Sequence, residues 1–515
     1  AELVGKIARA CYLLNDPRYW NPATGKCTLN PNMATSARGY RLTMAALIPS
    51  HPLAKQWFDT ALKELQQEVN DWTDPQGGMI ECPHYSMVIF DQWLGAFVVA
   101  RNAGAPADGN LFNPKLRQAM AWFGNISTPR DGGARRWPSL GHTYAGERSS
   151  VFGAVATLWQ TKDPQFAGEM AWMDREHGSV GEPGILSYYP AMMGYRAFFR
   201  PAAIKPKVPT WGSTAYPETG VLLRNTLGSD RETTLYLIAG RNHSHYYDDS
   251  GSITLWGKGR ELCSEDSYGH ERTLEKERGK NIDARGVHSM VDGPATYNPE
   301  EVMAIHEFSA SPALDYLRGT RRGWQRQIAF IKDSDPLGPN YFVMADTFDA
   351  ASVPTAWRLY LTATPGKQAG NRVTVVGKED VDLDLYFLRP EAVASEAHPD
   401  YLQVKLTQSG TLTTVLFPRL KTDKPPTVTP WANGRGVKVV TAVGTDYIWL
   451  DPSPVAFQEG ELTSAGKAGL IRVRQSKAAK TQIGECEVAP GWEGGQRELR
   501  MIRWEGPQYP SFPYP

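Results

Sequence analysis

Up to about residue 205 the apolar side chains recur every three or four positions; beyond it they alternate or fill short unbroken runs. Trp57, Phe58, Ala61, Leu62, Leu65, Val69 and Trp72 fall on one face of a helix that begins after Pro52, because steps of three and four return to the same side of a helix. The same period predicts helices over 35–48, 84–103, 112–123, 150–159, 164–175 and 185–199, and Ala1 to Ala10 is already an amphipathic helix. Loops rich in Gly, Pro and Asn separate these segments and no strand pattern intervenes, so residues 1–205 read as a helical domain of stacked antiparallel pairs.

After the Pro/Lys linker 201–209 the period changes. Short runs rich in Val, Ile, Tyr, Thr and Leu predict strands at 219–224, 233–239, 252–256, 326–331, 340–345, 357–362, 371–376, 382–387, 401–407, 412–417, 437–441 and 446–450. They describe an antiparallel β-sandwich over 212–420. Lys424-Pro425-Pro426, with Pro430 beyond, marks off 421–515 as a C-terminal β-module or a continuation of the sandwich. A chain of 515 residues needs more than one such unit, since single cores stop growing at roughly 250–300 residues.

Charge narrows the partners. The 55 basic and 55 acidic residues cancel, so no global field draws the chain to nucleic acid or to an acidic membrane surface. An anionic ligand has to be held by local charge, for which Arg135-Arg136 and the group Arg318, Arg321, Arg322 and Arg326 are available. Aromatic residues at 11% suffice to floor a sugar-binding groove. The five cysteines show no paired spacing, which argues against a cysteine-only zinc site. The most apolar run, Met87 to Ala100, is interrupted by Asp91 and Gln92 and is too short to span a bilayer. An opening helix without an initiating Met leads us to expect a signal peptide and several helices upstream of Ala1.

The densest chemistry is His243-Ser244-His245-Tyr246-Tyr247-Asp248-Asp249, between the strand-like runs at 233–239 and 252–256. Residues two apart on a strand point the same way, so both imidazoles can serve one site, as metal ligands, as proton carriers, or one as each.

Other motifs stand in a fixed order around it. Asn32-Met33, with Asn30 nearby, lies upstream, and Glu81-Cys82-Pro83-His84-Tyr85 sets an acid four residues before a tyrosine. Pro217-Glu218-Thr219-Gly220 opens the β half; Ser252-Ile253-Thr254-Leu255-Trp256-Gly257-Lys258-Gly259-Arg260-Glu261-Leu262 follows the histidines, and then come Glu265, Asp266 and His288. In this order the motifs resemble those of the heparinase II/III-like polysaccharide lyases and their alginate lyase relatives. The resemblance implies an α+β multidomain protein, an (α/α) toroid followed by antiparallel β-sandwich units, secreted or periplasmic, that cleaves an anionic, uronate-containing polysaccharide by β-elimination. It implies Tyr85 as base and acid, with Asn32 and His243 neutralising the sugar carboxylate. Where relatives often place His after Asn this chain has Met33, so either His142 supplies that imidazole or fewer groups share the charge. Glu81, His84, Arg148 and Tyr247 are the expected substrate-binding residues, although His84, about 100° from Tyr85 around a helix, faces another direction. A structural zinc is implied on His245, on Glu265 or Asp266, and on His288, and two residues more than the family pattern separate His245 from Ser252.

The chemistry suits these residue types. Loss of the C5 proton builds charge on the uronate carboxylate, which fixed donors stabilise better in a closed groove than in water. A phenol is a ready acid, and becomes a base where nearby positive charge favours its phenolate. Two other classes compete. A catalytically silent carbohydrate-binding protein would fit the same scaffold. A metallohydrolase would want Asp two residues after the second histidine, where Tyr247 stands, and βαβ alternation that the chain lacks.

Overall fold

The computed structural model describes residues 2–18, 20, 31–149, 151–178, 203–240, 245, 249–264, 291–292, 302–349, 355–390, 393–399, 401–459, 462–474 and 477–483. Its helices are α1 (Glu2–Leu14), α2 (Pro31–Leu47), α3 (Ala54–Trp72), α4 (Pro83–Asn102), α5 (Pro114–Ile126), α6 (Val151–Trp159) and α7 (Pro164–Glu176). They match the expected helices; the one expected at 185–199 lies outside the described residues. Proline opens α4, α5 and α7, where a missing N–H costs nothing and the fixed φ already suits the helix. The Asn113 and Asp163 side chains cap α5 and α7 by accepting from Lys115 N and Phe166 N. Helix α4 is buried on nearly all sides, which is why its sequence is apolar all round, and Tyr85 in its first turn is one of the few positions left partly open.

The strands build stacked antiparallel sheets. The first sheet runs β1 (Thr214–Tyr216), β2 (Gly220–Asn225), β3 (Thr233–Ile238), β4 (Ile253–Gly257) and β5 (Arg260–Cys263) in sequence order. Next in the chain are β6 (Val291–Asp292), β7 (Ala304–Ser309), β8 (Leu314–Arg321), β9 (Trp324–Ile331), β10 (Tyr341–Phe348), β11 (Thr355–Tyr360), β12 (Arg372–Val375), β13 (Val381–Arg389), β14 (Ser395–Ala397), β15 (Tyr401–Leu406) and β16 (Gly410–Leu420). They form a seven-stranded sheet, β12-β13-β16-β10-β9-β8-β7, and a four-stranded one, β14-β15-β11-β6. The C-terminal sheet is β17 (Thr427–Trp431), β18 (Gly436–Thr441), β19 (Gly444–Glu459), β20 (Leu462–Arg474) and β21 (Lys477–Ile483).

Alternation assigns each face. Leu222, Tyr236 and Ile238 of the first sheet join the helical core, whereas Val221, Leu223, Leu235 and Leu237 join the core shared with the seven-stranded sheet. A sheet covered on both faces has no wet side, hence the run Leu235-Tyr236-Leu237-Ile238 in β3 and the burial of every residue of that strand. On the far side of the seven-stranded sheet, Leu314, Tyr316, Val343 and Val415 meet Val437, Val439, Ile448 and Leu470 of the C-terminal sheet. Strands β7 and β8 were not expected, because Glu307, Asp315 and Arg318 break the apolar pattern. These charges are paired, Asp315 with Lys332 at 2.6 Å and Glu307 with Arg318 and Lys467 at 3.2 and 2.5 Å. Strand β19 runs far past the expected 446–450, its Pro452 and Pro454 lying in the register shift between Leu450 and Val455, where a bulge spares the ladder hydrogen bonds that proline cannot donate.

A buried ion cluster joins helices to sheet. Glu232, just before β3, takes a bidentate contact from Arg135, on the loop after α5, and a further one at 3.2 Å from Arg224 of β2, which also donates to Ser127 O at 2.5 Å. All three charged side chains are almost wholly removed from water. Burial pulls Arg224 down to about 10 even beside its carboxylate. Close by, His177 caps α7, its Nε2 on Ser127 Oγ at 3.0 Å and its Nδ1 accepting from Ser149 N at 3.2 Å. Burial first, then Arg135 and Arg148, push His177 down to about 3.

Two outcomes follow. Glu232→Gln strands two buried guanidinium groups and should cost about 3–5 kcal/mol in chemical denaturation; a loss below about 1 kcal/mol would show that the cluster does not hold the halves together. Because His177 stays neutral in the fold while the unfolded chain takes up a proton at its ordinary value, its contribution is complete above about pH 6.5 and is lost as pH falls toward 3. Stability should drop there by up to about 1.4 kcal/mol per pH unit, and His177→Gln should flatten that slope in denaturation series from pH 7 to 4.

Candidate active site

The site is assembled at the first turn of α4. The helix starts at Pro83, one residue before the expected 84, so Tyr85 lies in its first turn and Glu81 precedes it. The Glu81 side chain is fully buried, and both of its oxygens lie on His245 Nδ1, at 2.8 and 3.0 Å. The carboxylate of Glu81, an expected substrate-binding residue, faces an imidazole. The His245 ring stacks on the Tyr85 ring, centroids 3.6 Å apart and planes within 9°. Since a carboxylate can only accept, Nδ1 of His245 carries the donated proton and its remaining proton chemistry falls to Nε2.

The loop between α5 and α6 holds this arrangement from above. His142 N donates to His245 O at 3.0 Å, and its ring centroid lies 5.2 Å from that of His245 and 6.1 Å from that of Tyr85. Gly141 makes the approach possible: its φ is +51°, and a Cβ there would stand 2.2 Å from the His245 carbonyl oxygen. Thr143 Oγ1 accepts from His84 N at 3.3 Å and donates to Leu140 O at 2.7 Å. His84 itself is buried with its Nδ1 2.8 Å from Glu147 Oε1.

The other expected residues fall as follows. Asn32, in the first turn of α2, is buried, and its Oδ1 finds no hydrogen-bond partner among the described residues. Its carbonyl accepts from Ser36 Oγ at 2.9 Å, and Ser36 reaches Gln92 Oε1 at 3.0 Å. Gln92 lies seven positions beyond Tyr85, on the same side of α4, since seven residues complete about two turns. Met33 is half exposed beside it. Arg148 is exposed, its Nη1 3.4 Å from His177 O. His243, Tyr247, Glu265, Asp266 and His288 lie outside the described residues.

The zinc expectation for His245 also names Glu265 or Asp266 and His288, which lie outside the described residues. The sequence reading separated this imidazole from the proton-transfer tyrosine, giving His243 the sugar and His245 the metal. Here the Gly141–His142 contact captures the His245 backbone, and Glu81 draws the ring over Tyr85. A histidine whose Nδ1 is held by a carboxylate is a common metal ligand, and the Glu81–His245 bond fits that use as well as a place beside the phenol. Cys82 offers no nucleophile, because burial and then Glu81 push its thiol well above its ordinary value. Sequence reasoning missed Gly141, Thr143 and Glu147. Gly141-His142 carried a turn signal; Glu147 carried none.

No protein-family model and no curated protein matches the sequence. Solved structures do match in shape. A mutant of heparan sulfate lyase HepC from Pedobacter heparinus aligns over 95% of this chain and 70% of its own, with a TM-score of 0.63 and 16% identity. A heparinase III described as the BT4657 gene product aligns over 94% and 69%, with a TM-score of 0.61 and 14% identity. Another heparinase III structure aligns over 93% and 70%, with a TM-score of 0.61 and 13% identity. At such identities the likeness carries the fold, which is that of the heparinase III-like polysaccharide lyases: helices first, antiparallel sheets after them.

Gly141→Ala tests the strut. Its Cβ would meet a backbone oxygen that cannot swing aside, in a conformation L residues rarely adopt, so a loss of about 1–3 kcal/mol is expected. Amide exchange at His142 should accelerate; unchanged exchange would mean that the contact with His245 O does not hold the loop.

Proposed function

We propose that the chain is a lyase that cleaves an anionic, uronate-containing polysaccharide, alginate or a glycosaminoglycan, by β-elimination. The observation that carries this reading is the stack of Tyr85 on His245, itself bonded to a buried Glu81. A phenol against an imidazole backed by a carboxylate is a proton-transfer group with its charge partner built in. The likeness in fold to a heparan sulfate lyase and to heparinase III agrees with it.

In the reaction the Tyr85 phenolate takes the C5 proton. The electron pair forms the C4–C5 double bond, the C4–O bond breaks, and the departing oxygen takes the proton from the Tyr85 phenol, so that the residue ends as it began. Charge on the sugar carboxylate meets His245 Nε2, His142 and the Asn32 amide, where fixed donors stabilise it most in a site closed to water. His142 stands in for the imidazole absent at Met33. Glu81 orients His245 rather than touching sugar, and Arg148 at the rim offers charge to the polymer. A polymeric substrate implies work outside the cytoplasm, and no described helix is long and apolar enough to cross a membrane.

A carbohydrate-binding protein without turnover remains the second reading, favoured by the half-exposed Met33 where an imidazole is wanted.

Offered alginate, heparan sulfate, chondroitin and hyaluronan, the protein should release unsaturated uronate, seen by its ultraviolet absorbance. Tyr85→Phe should lower turnover by about a hundredfold or more with the fold intact; more than about a tenth of wild-type turnover remaining would overturn the assignment, and binding without product would favour the second reading. Zinc content separates the uses of His245: equal content in wild type and His245→Ala keeps it at the sugar, whereas stoichiometric zinc lost with His245→Ala returns it to a metal.

A further inference from the structure

Beyond the groups that face the sugar, the geometry points to His84 and Glu147 as a buried positioning pair that sets the Tyr85 ring, an inference that rests on the reading of Tyr85 as the proton-transfer residue. His84 follows Pro83 in the first turn of α4, about 100° around the helix from Tyr85. Adjacent helical side chains normally diverge. Here the His84 ring meets the Tyr85 ring edge-on, centroids 4.8 Å apart at 88°, because a partner outside the helix holds it there. That partner is Glu147, whose Oε1 lies 2.8 Å from His84 Nδ1. Both side chains are nearly out of water, 8% and 6% exposed, where a charge-assisted bond is stronger and its loss costs more.

Glu147 is itself fixed. Its Oε2 accepts from Tyr144 N at 3.3 Å, its N–H donates to Tyr144 O at 3.2 Å, and its carbonyl accepts from Trp137 N at 3.0 Å. The Tyr144 ring also meets His84, centroids 5.2 Å apart at 74°. The same loop bonds His245 O through His142 N. One loop therefore locates the group on the face of Tyr85 and the group at its edge, so the phenol is held between two imidazoles referenced to a single stretch of backbone. Proton transfer requires that placement to within about 0.5 Å. Glu147 touches neither sugar nor phenol in this scheme; it acts through His84.

The test uses full-length protein labelled with 3-fluorotyrosine, the Tyr85 resonance being assigned by its loss in Tyr85→Phe. In Glu147→Gln and His84→Ala that resonance should move, and kcat should fall about tenfold with KM within twofold. His84→Asn places an amide nitrogen where Nδ1 stood, so it should restore the resonance and most of kcat. An unmoved resonance in both Glu147→Gln and His84→Ala overturns the inference, as does a KM that rises at constant kcat, which would make these residues substrate ligands. Absence of turnover in the wild type on every polymer would sink the lyase reading alone, because the fluorine signal judges the pair without any reaction.

Discussion

Glu81 and His245 are 164 residues apart in sequence and lie on opposite sides of the helix–sheet junction, yet they must meet at 2.8 Å. No slip of the helices over the first sheet is compatible with that distance. Apolar contact alone fixes such a junction loosely, since Leu222, Tyr236 and Ile238 could slide along the helical core at small cost. Directional bonds remove the freedom. Glu232 ties a loop of the helical half to β2 and the turn before β3, and Asp74, at the end of α3, accepts from the Glu218 amide at 3.4 Å. Burying three charges together is expensive, and what the arrangement provides is one register instead of several.

That register also explains which parts of the fold were legible. A helix on one flank and a sheet on the other leave the first sheet no wet face, so β2 and β3 read as apolar runs and were plain in the sequence. The helices were plain because each buries a stripe at a helical period. Strands β7, β8, β20 and β21 were not, since their pattern is broken by charges or small residues whose partners come from other strands. Asp315 reads as a loop residue until Lys332 and Ser213 are seen on it.

The site was legible to the extent that its chemistry is local. The two histidines announce themselves by crowding, whereas Glu81 and Tyr85 stand out through the family motif they resemble and His142 as a substitute for the imidazole missing at Met33. The use made of each depends on contacts that no local pattern encodes. His245 was expected to hold zinc because the family resemblance implies it, and no local pattern shows that a backbone bond from His142 and the room left by Gly141 set where its ring goes. Glu147 was invisible for the same reason: an isolated glutamate in a loop has meaning only through His84.

Put together, the described site holds two carboxylate–imidazole pairs around one phenol, Glu81–His245 on its face and Glu147–His84 at its edge. Both acids are buried and each is engaged by Nδ1 of its histidine. On the proposed lyase reading, a polymer carrying a negative charge on every uronate would be repelled by free carboxylates, and a chain with no net charge has no surplus field to compensate. Holding each acid on an imidazole resolves the conflict. The acids stay close enough to fix tautomer and ring orientation, while in that reading the phenol, Nε2 of His245 and the rim arginine are the groups left to meet the anion.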